Sequence, residues 1–295
     1  MSESLVVVAN AGAGSADNQA MRRALDVLRR GATSVSLSET SSPAELDAVV
    51  SELDGRTLVV AGGDGSLHAA VNALHRADAL STTVGLIPLG TGNDLARTVH
   101  IPRDPESAAR VVLAGQPTGH EVLEAADGTV AVNAVHLGIG AEAVRLGARA
   151  KQRLGPAGYP IGALLAGVRF PGWHLTVTVD VVEQPREGRV LMVGVSVGRT
   201  IGGGTPLAPE ADLDDGLADV TVASATGALR RTRFALGLRK GTHTTLRDVA
   251  TVRGATIHVT GDQVRANSDG ELSEPGTSWQ WVVRRDAWRL IHPAT

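Results

Sequence analysis

Short apolar runs and amphipathic stretches take turns along the first third of the chain. The runs 5–9, 57–61 and 84–88 are almost wholly apolar, as expected of strands buried on both faces. A fourth strand is predicted over 34–37. Between these runs, Ala20, Ala24, Leu25, Val27 and Leu28 recur at helical spacing within 18–30. Ser42-Pro43 is a start signal for a helix over 44–53. Further helices are predicted over 66–74 and from 93 to 98. Strand alternating with helix predicts a parallel sheet covered on both faces.

The pattern changes at a Gly/Pro-rich break, 114–120. After it, strands dominate: 129–138, 173–182, 190–198, 218–224, 255–260 and 278–284. Several alternate polar and apolar positions, as half-buried antiparallel strands do. One helical interruption is expected over 142–169, carrying Arg145, Arg149, Lys151 and Arg153. The predicted architecture is an α/β domain (1–118) with a parallel sheet, then a mainly β domain (119–295) built as an antiparallel sandwich. The closing segment 286–293 is a candidate strand returning to the first domain. Trp279, Trp281 and Trp288 read as core or docking residues rather than lipid anchors.

Composition narrows the chemistry. Hydrophobic residues make up 43% and charged residues 20% of 295 positions, so a packed core is expected. A net charge of −3 and an aromatic content of 2% argue against a nucleic-acid partner, which needs clustered cations or stacking platforms. There is no cysteine, which excludes disulfides, thiolate metal sites and a thiol nucleophile. The first residues have neither a basic n-region nor a long apolar h-region. No stretch approaches the roughly 20 apolar residues of a spanning helix. A cytoplasmic chain is expected, one that meets a membrane surface transiently without crossing it.

The distinctive chemistry lies in three glycine-rich turns, each between a predicted strand and a predicted helix. They are "NAGAG" (10–14), "GGDGS" (62–66) and "PLGTGNDLAR" (88–97). Glycines let a ligand approach the backbone without a Cβ in the way. A helix N-terminus offers N–H groups and partial positive charge to a phosphate. Three such turns would line the carboxyl edge of a parallel sheet, where α/β ligands bind. Neither the dinucleotide glycine spacing nor the P-loop lysine motif is present.

These residues resemble the diacylglycerol kinase catalytic family, and within it the bacterial soluble lipid kinases. The likeness continues through "VNAVHLGIGAEAV" (132–144), "GGGTPLAPEADLDDGLADV" (202–220) and "NSDGELSE" (267–274). The matches are in order and span nearly the whole chain. Ala11 stands where the family commonly has proline, and Ser66 where it has threonine.

The resemblance implies ATP- and Mg²⁺-dependent phosphorylation of a lipid hydroxyl. It places ATP against Asn10, Ala11, Gly12, Ala13, Gly14, Thr40, Gly62, Gly63, Asp64, Gly65, Ser66, Leu67, His68, Gly90, Thr91 and Asn93. His68 reads as a solvent-facing helix residue, with nucleotide contact as the alternative. For Mg²⁺ the resemblance implies Asp215 as main carboxylate, backbone groups at Asp212 and Leu217, and Asp94 through water. The bland reading of Asp212, Asp214 and Asp215 is a solvated turn. In "DGE", Asp269 and Glu271 are both candidates for the base that accepts the lipid proton. The expected partner is a membrane lipid such as diacylglycerol, phosphatidylglycerol or a sphingoid base, and a homodimer is compatible with the family. The alternatives are an NAD kinase or phosphofructokinase, which share the GGDG-type turn, and a non-catalytic nucleotide- or lipid-binding module on the same fold.

Overall fold

The computed structural model describes residues 4–11, 15–139, 141, 171–184, 188–224 and 227–293. The expected helix over 142–169, with its four cations, and Gly12, Ala13 and Gly14 lie outside these residues.

The first part alternates as the hydrophobic pattern dictates. Its elements are β1 (Ser4–Asn10), α1 (Ser15–Gly31), β2 (Ser34–Thr40), α2 (Pro43–Ser51), β3 (Thr57–Gly62), α3 (Asp64–Arg76), β4 (Thr83–Pro88), α4 (Asp94–Thr98) and α5 (Pro105–Ala114). The strands pair in parallel in the order β2-β1-β3-β4. The continuous apolar runs become strands buried on both faces, with Val7, Leu58, Val59 and Val84 at 0% exposure. Strand β2, at the sheet edge, is half exposed. Ser42 caps α2 by accepting from Glu45 N. Helix α5 was not predicted, although Asp104-Pro105 is a start signal: Asp104 accepts from Ser107 N and Pro105 takes a first-turn position.

The second part comprises β5 (Gln116–Ala125), β6 (Val130–Ala131), β7 (Ala134–Gly138), β8 (Leu175–Val179), β9 (Val182–Glu183), β10 (Met192–Ser196), β11 (Ala218–Ala223), α6 (Ala228–Lys240), β12 (Val249–Gly254), β13 (Thr256–Val264), β14 (Ala266–Ser268), β15 (Glu271–Leu272) and β16 (Gly276–His292). Strands β12-β11-β10-β7-β14-β15 form an antiparallel sheet. It packs on β16, β13 and β8 through one apolar cluster that includes Val135, Val193, Val220, Val177, Ile257 and Trp281.

The middle of the chain departs from the pattern read in the sequence, and its end joins the two halves. The Gly/Pro-rich break at 114–120 is the start of the ten-residue strand β5. Pro117 lies opposite Ile291 and Gly119 opposite Arg289 of β16. A Cβ at Gly119 would run into the Asp286 carboxylate, so a larger residue there would displace that side chain. The tryptophan-rich end is a single 17-residue strand with an irregularity between Arg284 and Trp288. Strand β16 pairs antiparallel with β5 and β13 and, at Arg289–Leu290, parallel with β4. One sheet therefore runs from the parallel half into the sandwich. Trp281 and Trp288 are buried within it, and Trp288 Nε1 donates to Glu121 O at 3.3 Å.

Candidate active site

The turns after β3 and β4 pack backbone against backbone. A Cβ on Gly90 would lie 2.6 Å from Gly63 Cα, and one on Gly63 would lie 3.0 Å from Gly90 Cα. Leu89 N donates to Gly62 O at 2.9 Å. Gly62 leaves room for the Ser66 hydroxyl, which a Cβ would meet at 2.4 Å. Gly65 differs, since a Cβ there would meet nothing within 4 Å. Its surroundings are open space rather than protein. Leu67 is buried in the core, so it presents only backbone to a ligand. At the neighbouring strand ends Asn10 lies opposite Thr40, and Ala11 N donates to Thr40 O at 3.1 Å.

Asp64 ties these turns together. Its Oδ1 accepts from Asp94 N at 2.7 Å and Leu95 N at 3.4 Å, satisfying first-turn donors of α4. Its Oδ2 lies where a Cβ on residue 92 would come within 2.6 Å, so a larger residue at 92 would push that carboxylate oxygen aside. Burial, and then the charge of Asp94, push the Asp64 carboxyl above its ordinary pKa. A carboxylate so placed is stabilised by a cation. Asp94 holds the 202–204 loop in place: its carboxylate accepts from Thr200 Oγ1 at 2.8 Å, Gly203 N at 2.8 Å and Gly204 N at 2.7 Å. Asn93 has φ 53 and donates to Gly90 O at 2.6 Å.

A second carboxylate hub sits across from α3. Asp269 and Gly270 both have positive φ (49 and 105) and link the paired residues Ser268 and Glu271. Two such residues make the tight hairpin turn for which Asp-Gly is suited. The Asp269 side chain is 1% exposed. Its Oδ2 accepts from Val132 N at 2.7 Å and meets His68 Nδ1 at 3.1 Å. Its Oδ1 accepts from Asn133 N at 3.2 Å and Ala134 N at 2.9 Å. His68 is therefore not a solvent-facing residue: its side chain is 12% exposed and held by Asp269 and Asn72. Asn72 in turn exchanges two hydrogen bonds with the Val130 backbone. Glu271, two residues on, is exposed and has no side-chain partner among the described residues.

Both hubs open onto a cavity of about 860 Å³. Asp64, Thr91, Asp94, Asp269 and Gly270 line its polar end, and Ile139, Leu191, Met192, Ile201, Phe234 and Leu238 line its apolar walls. Asn133, His136 and Asn267, all buried, also line it. Asn133 Oδ1, His136 Nδ1 and Asn267 Nδ2 have no hydrogen-bond partner among the described residues. Burial pulls the His136 pKa down to about 4, against the nearby Asp269 charge, so the ring is neutral at ordinary pH. All three lie within the segments 132–144 and 267–274 that carry the family resemblance, but no role was read for them there. Only the unsatisfied buried atoms reveal them.

The acidic loop at 212–217 lies elsewhere, since none of its residues lines the cavity. The Asp215 carboxylate accepts from Leu217 N at 3.0 Å and pairs with Arg253. Asp212 accepts from Asp214 N at 3.3 Å. Nearby, Glu121 accepts from Gly216 N, and burial raises its pKa to about 7. Among the described residues no group of three or more His, Asp or Glu is arranged to hold a metal. Asp215 pairs with Arg253, and both carboxylate oxygens of Asp94 accept hydrogen bonds.

Residues 4–125 match the family model of the diacylglycerol kinase catalytic domain, and residues 133–283 that of the YegS C-terminal NAD kinase beta sandwich-like domain. Fold and site thus define a two-domain kinase. The chain belongs to the YegS-like lipid kinase family, with its diacylglycerol kinase catalytic domain. It is 34% identical over 233 residues to a probable lipid kinase YegS-like of Xanthomonas campestris pv. campestris (strain 8004), covering 72% of this chain and 71% of that one. To a protein of the same description in Stenotrophomonas maltophilia (strain K279a) it is 32% identical over 272 residues, covering 87% and 86%. The fold is similar to a putative diacylglycerol kinase from Bacillus anthracis str. Sterne, with TM-score 0.81 and 23% identity over 98% of this chain and 95% of that chain. It is more distantly similar to yeast NADH kinase complexed with NADH, with TM-score 0.52 and 12% identity over 100% and 84%.

Proposed function

We propose that this kinase transfers the γ-phosphoryl group of ATP to a hydroxyl of a neutral membrane lipid, of which diacylglycerol is the model. The observation that carries this reading is the cavity itself, with carboxylates at one end and apolar walls leading away. Such a space suits an amphiphile that presents a hydroxyl at the polar end. Asp64, Asp94 and Asp269 at that end disfavour an anionic headgroup. An NAD acceptor would leave the apolar walls uncovered.

The nucleotide phosphates lie in the open space at Gly65, against the first-turn N–H groups of α3. Asn10, Thr40, Ser66 and Thr91 are the polar residues we assign to the nucleotide. The bound magnesium ion supplies charge neutralisation on the phosphates. Of the residues present, Asp64 fits it, because Oδ2 is not used in capping α4. We assign the ion to Asp64 rather than to Asp215. The lipid hydroxyl oxygen attacks the γ-phosphorus, ADP departs, and the hydroxyl proton passes to Glu271, which is not itself a lining residue but directly follows Gly270, which is. Three backbone N–H groups already donate to the Asp269 carboxylate, and His68 Nδ1 lies against it. Asp269 positions the turn that carries Glu271. Asn133, His136 and Asn267 meet the lipid's own polar atoms near the hydroxyl.

The test is transfer of labelled phosphate from ATP in mixed micelles to a lipid panel, with NAD and a sugar phosphate as controls. Label in a neutral lipid supports the reading. Label in NAD alone overturns it.

A further inference from the structure

Helix α6 carries Arg230, Arg231, Arg233, Arg239 and Lys240 and no acidic residue, in a chain whose net charge is −3. Its inner side belongs to the cavity, where Arg231, Phe234 and Leu238 form part of the wall. Gly237, also on that side, packs against His243, whose Cα a Cβ would meet at 3.1 Å. The outer side is unusual for a solvated helix. Leu229 is 84% exposed and Leu236 is 57% exposed. At 3.6 residues per turn, Leu229, Arg233, Leu236 and Lys240 fall within an arc of about 60°. Large apolar side chains and cations thus share one stripe, facing away from Phe234.

We infer that this stripe docks the protein on an anionic lipid bilayer, with Leu229 and Leu236 entering the interface and Arg233 and Lys240 reaching lipid phosphates. A basic helix with exposed leucines has both components of interfacial binding, apolar burial and attraction to anionic headgroups. Long cationic side chains beside an inserted leucine keep their charged ends at headgroup level. A second copy of this chain is the poorer occupant, because two such stripes face to face would oppose Arg233 and Lys240 to their own copies with no acidic residue on the helix to offset them. The location has a consequence for the proposed reaction, on which this inference partly rests. The helix that touches the bilayer is also a wall of the cavity, so a lipid passes from membrane to site along one element.

The experiment compares the wild-type chain with Leu229→Ser/Leu236→Ser and Arg233→Glu/Lys240→Glu. None of the four residues lines the cavity, and all are exposed, so thermal melts should match wild type. Co-sedimentation is measured with phosphatidylcholine vesicles, with and without phosphatidylglycerol. Wild type is expected to bind the phosphatidylglycerol-containing vesicles preferentially, and each double variant to bind them roughly tenfold more weakly or worse. Phosphate transfer to a soluble short-chain diacylglycerol should be unchanged in both variants, while transfer to vesicle-embedded lipid falls. Equal vesicle binding by variants and wild type, or no preference of wild type for phosphatidylglycerol, overturns the docking surface. So does a wild-type dimer in sedimentation that Leu229→Ser/Leu236→Ser dissolves, which would assign the stripe to a second copy. Vesicle binding lost in both variants, with no label in any lipid, would keep the docking surface and sink the kinase reading.

Discussion

Asp94 donates its backbone N–H to Asp64 Oδ1 at 2.7 Å. The two acids open successive helices at the ends of neighbouring strands, so the first holds the second helix in place while keeping its other oxygen toward the cavity. The variant Asp64→Asn keeps an oxygen for the Asp94 and Leu95 N–H groups but loses the charge. It should fold normally and lose about 10²-fold or more in turnover, as removal of a preorganised charge does. Thermal melting and steady-state kinetics across magnesium concentration check both halves.

The two carboxylates of "DGE" should separate cleanly. Glu271→Gln is expected to lower kcat by about 10²–10⁴-fold, the usual contribution of a general base, with an unchanged melting temperature. Asp269→Asn removes the charge that three backbone N–H groups and His68 address. It should cost about 2–3 kcal/mol in stability, read by urea denaturation. Equal stabilities for the two variants would contradict the division of roles.

Glycines in one motif should answer differently to alanine. Gly90→Ala puts a Cβ 2.6 Å from Gly63 Cα, backbone against backbone, and should destabilise by about 1–3 kcal/mol. Gly65→Ala meets nothing and sits in the first turn of α3, so stability should hold or rise by up to about 1 kcal/mol. The same variant should weaken ATP binding, because its methyl group enters the space assigned to phosphate. Calorimetric titration with ATP beside a melting curve measures both.

How legible this was in the sequence depends on the range of the interactions. Continuous apolar runs placed β1, β3 and β4, and glycine chemistry placed the turns after them, because both act within a few residues. Strand β5 escaped because Pro117 and Gly119 read as a break, although Gly119 is a paired strand residue against the Asp286 side chain. Helix α6 escaped because Leu229 and Leu236 face outward, which blurs its helical period. The role of Asp269 was hidden for a different reason. Its partners Val132, Asn133 and Ala134 lie about 135 residues earlier, and backbone donors leave no mark on residue type. His68 looked like a surface histidine until that carboxylate arrived beside it.

The buried neutral His136 makes stability depend on pH in a defined direction. Its folded pKa of about 4 lies below the unfolded value of 6.5. Below pH 6.5 the unfolded chain binds the proton and the folded chain does not. Stability from this group is full above 6.5 and falls toward pH 4, by an amount on the order of 3 kcal/mol. Urea midpoints between pH 4.5 and 7.5 should slope less in His136→Gln than in wild type.

The most direct measurement is transfer of labelled γ-phosphate to diacylglycerol in mixed micelles, with magnesium present or chelated, for wild type, Asp64→Asn and Glu271→Gln. The account predicts label in the lipid for wild type with magnesium, and loss of nearly all of it on chelation or in either variant. Label that persists in Glu271→Gln, or that appears in NAD and not in the lipid, would contradict it.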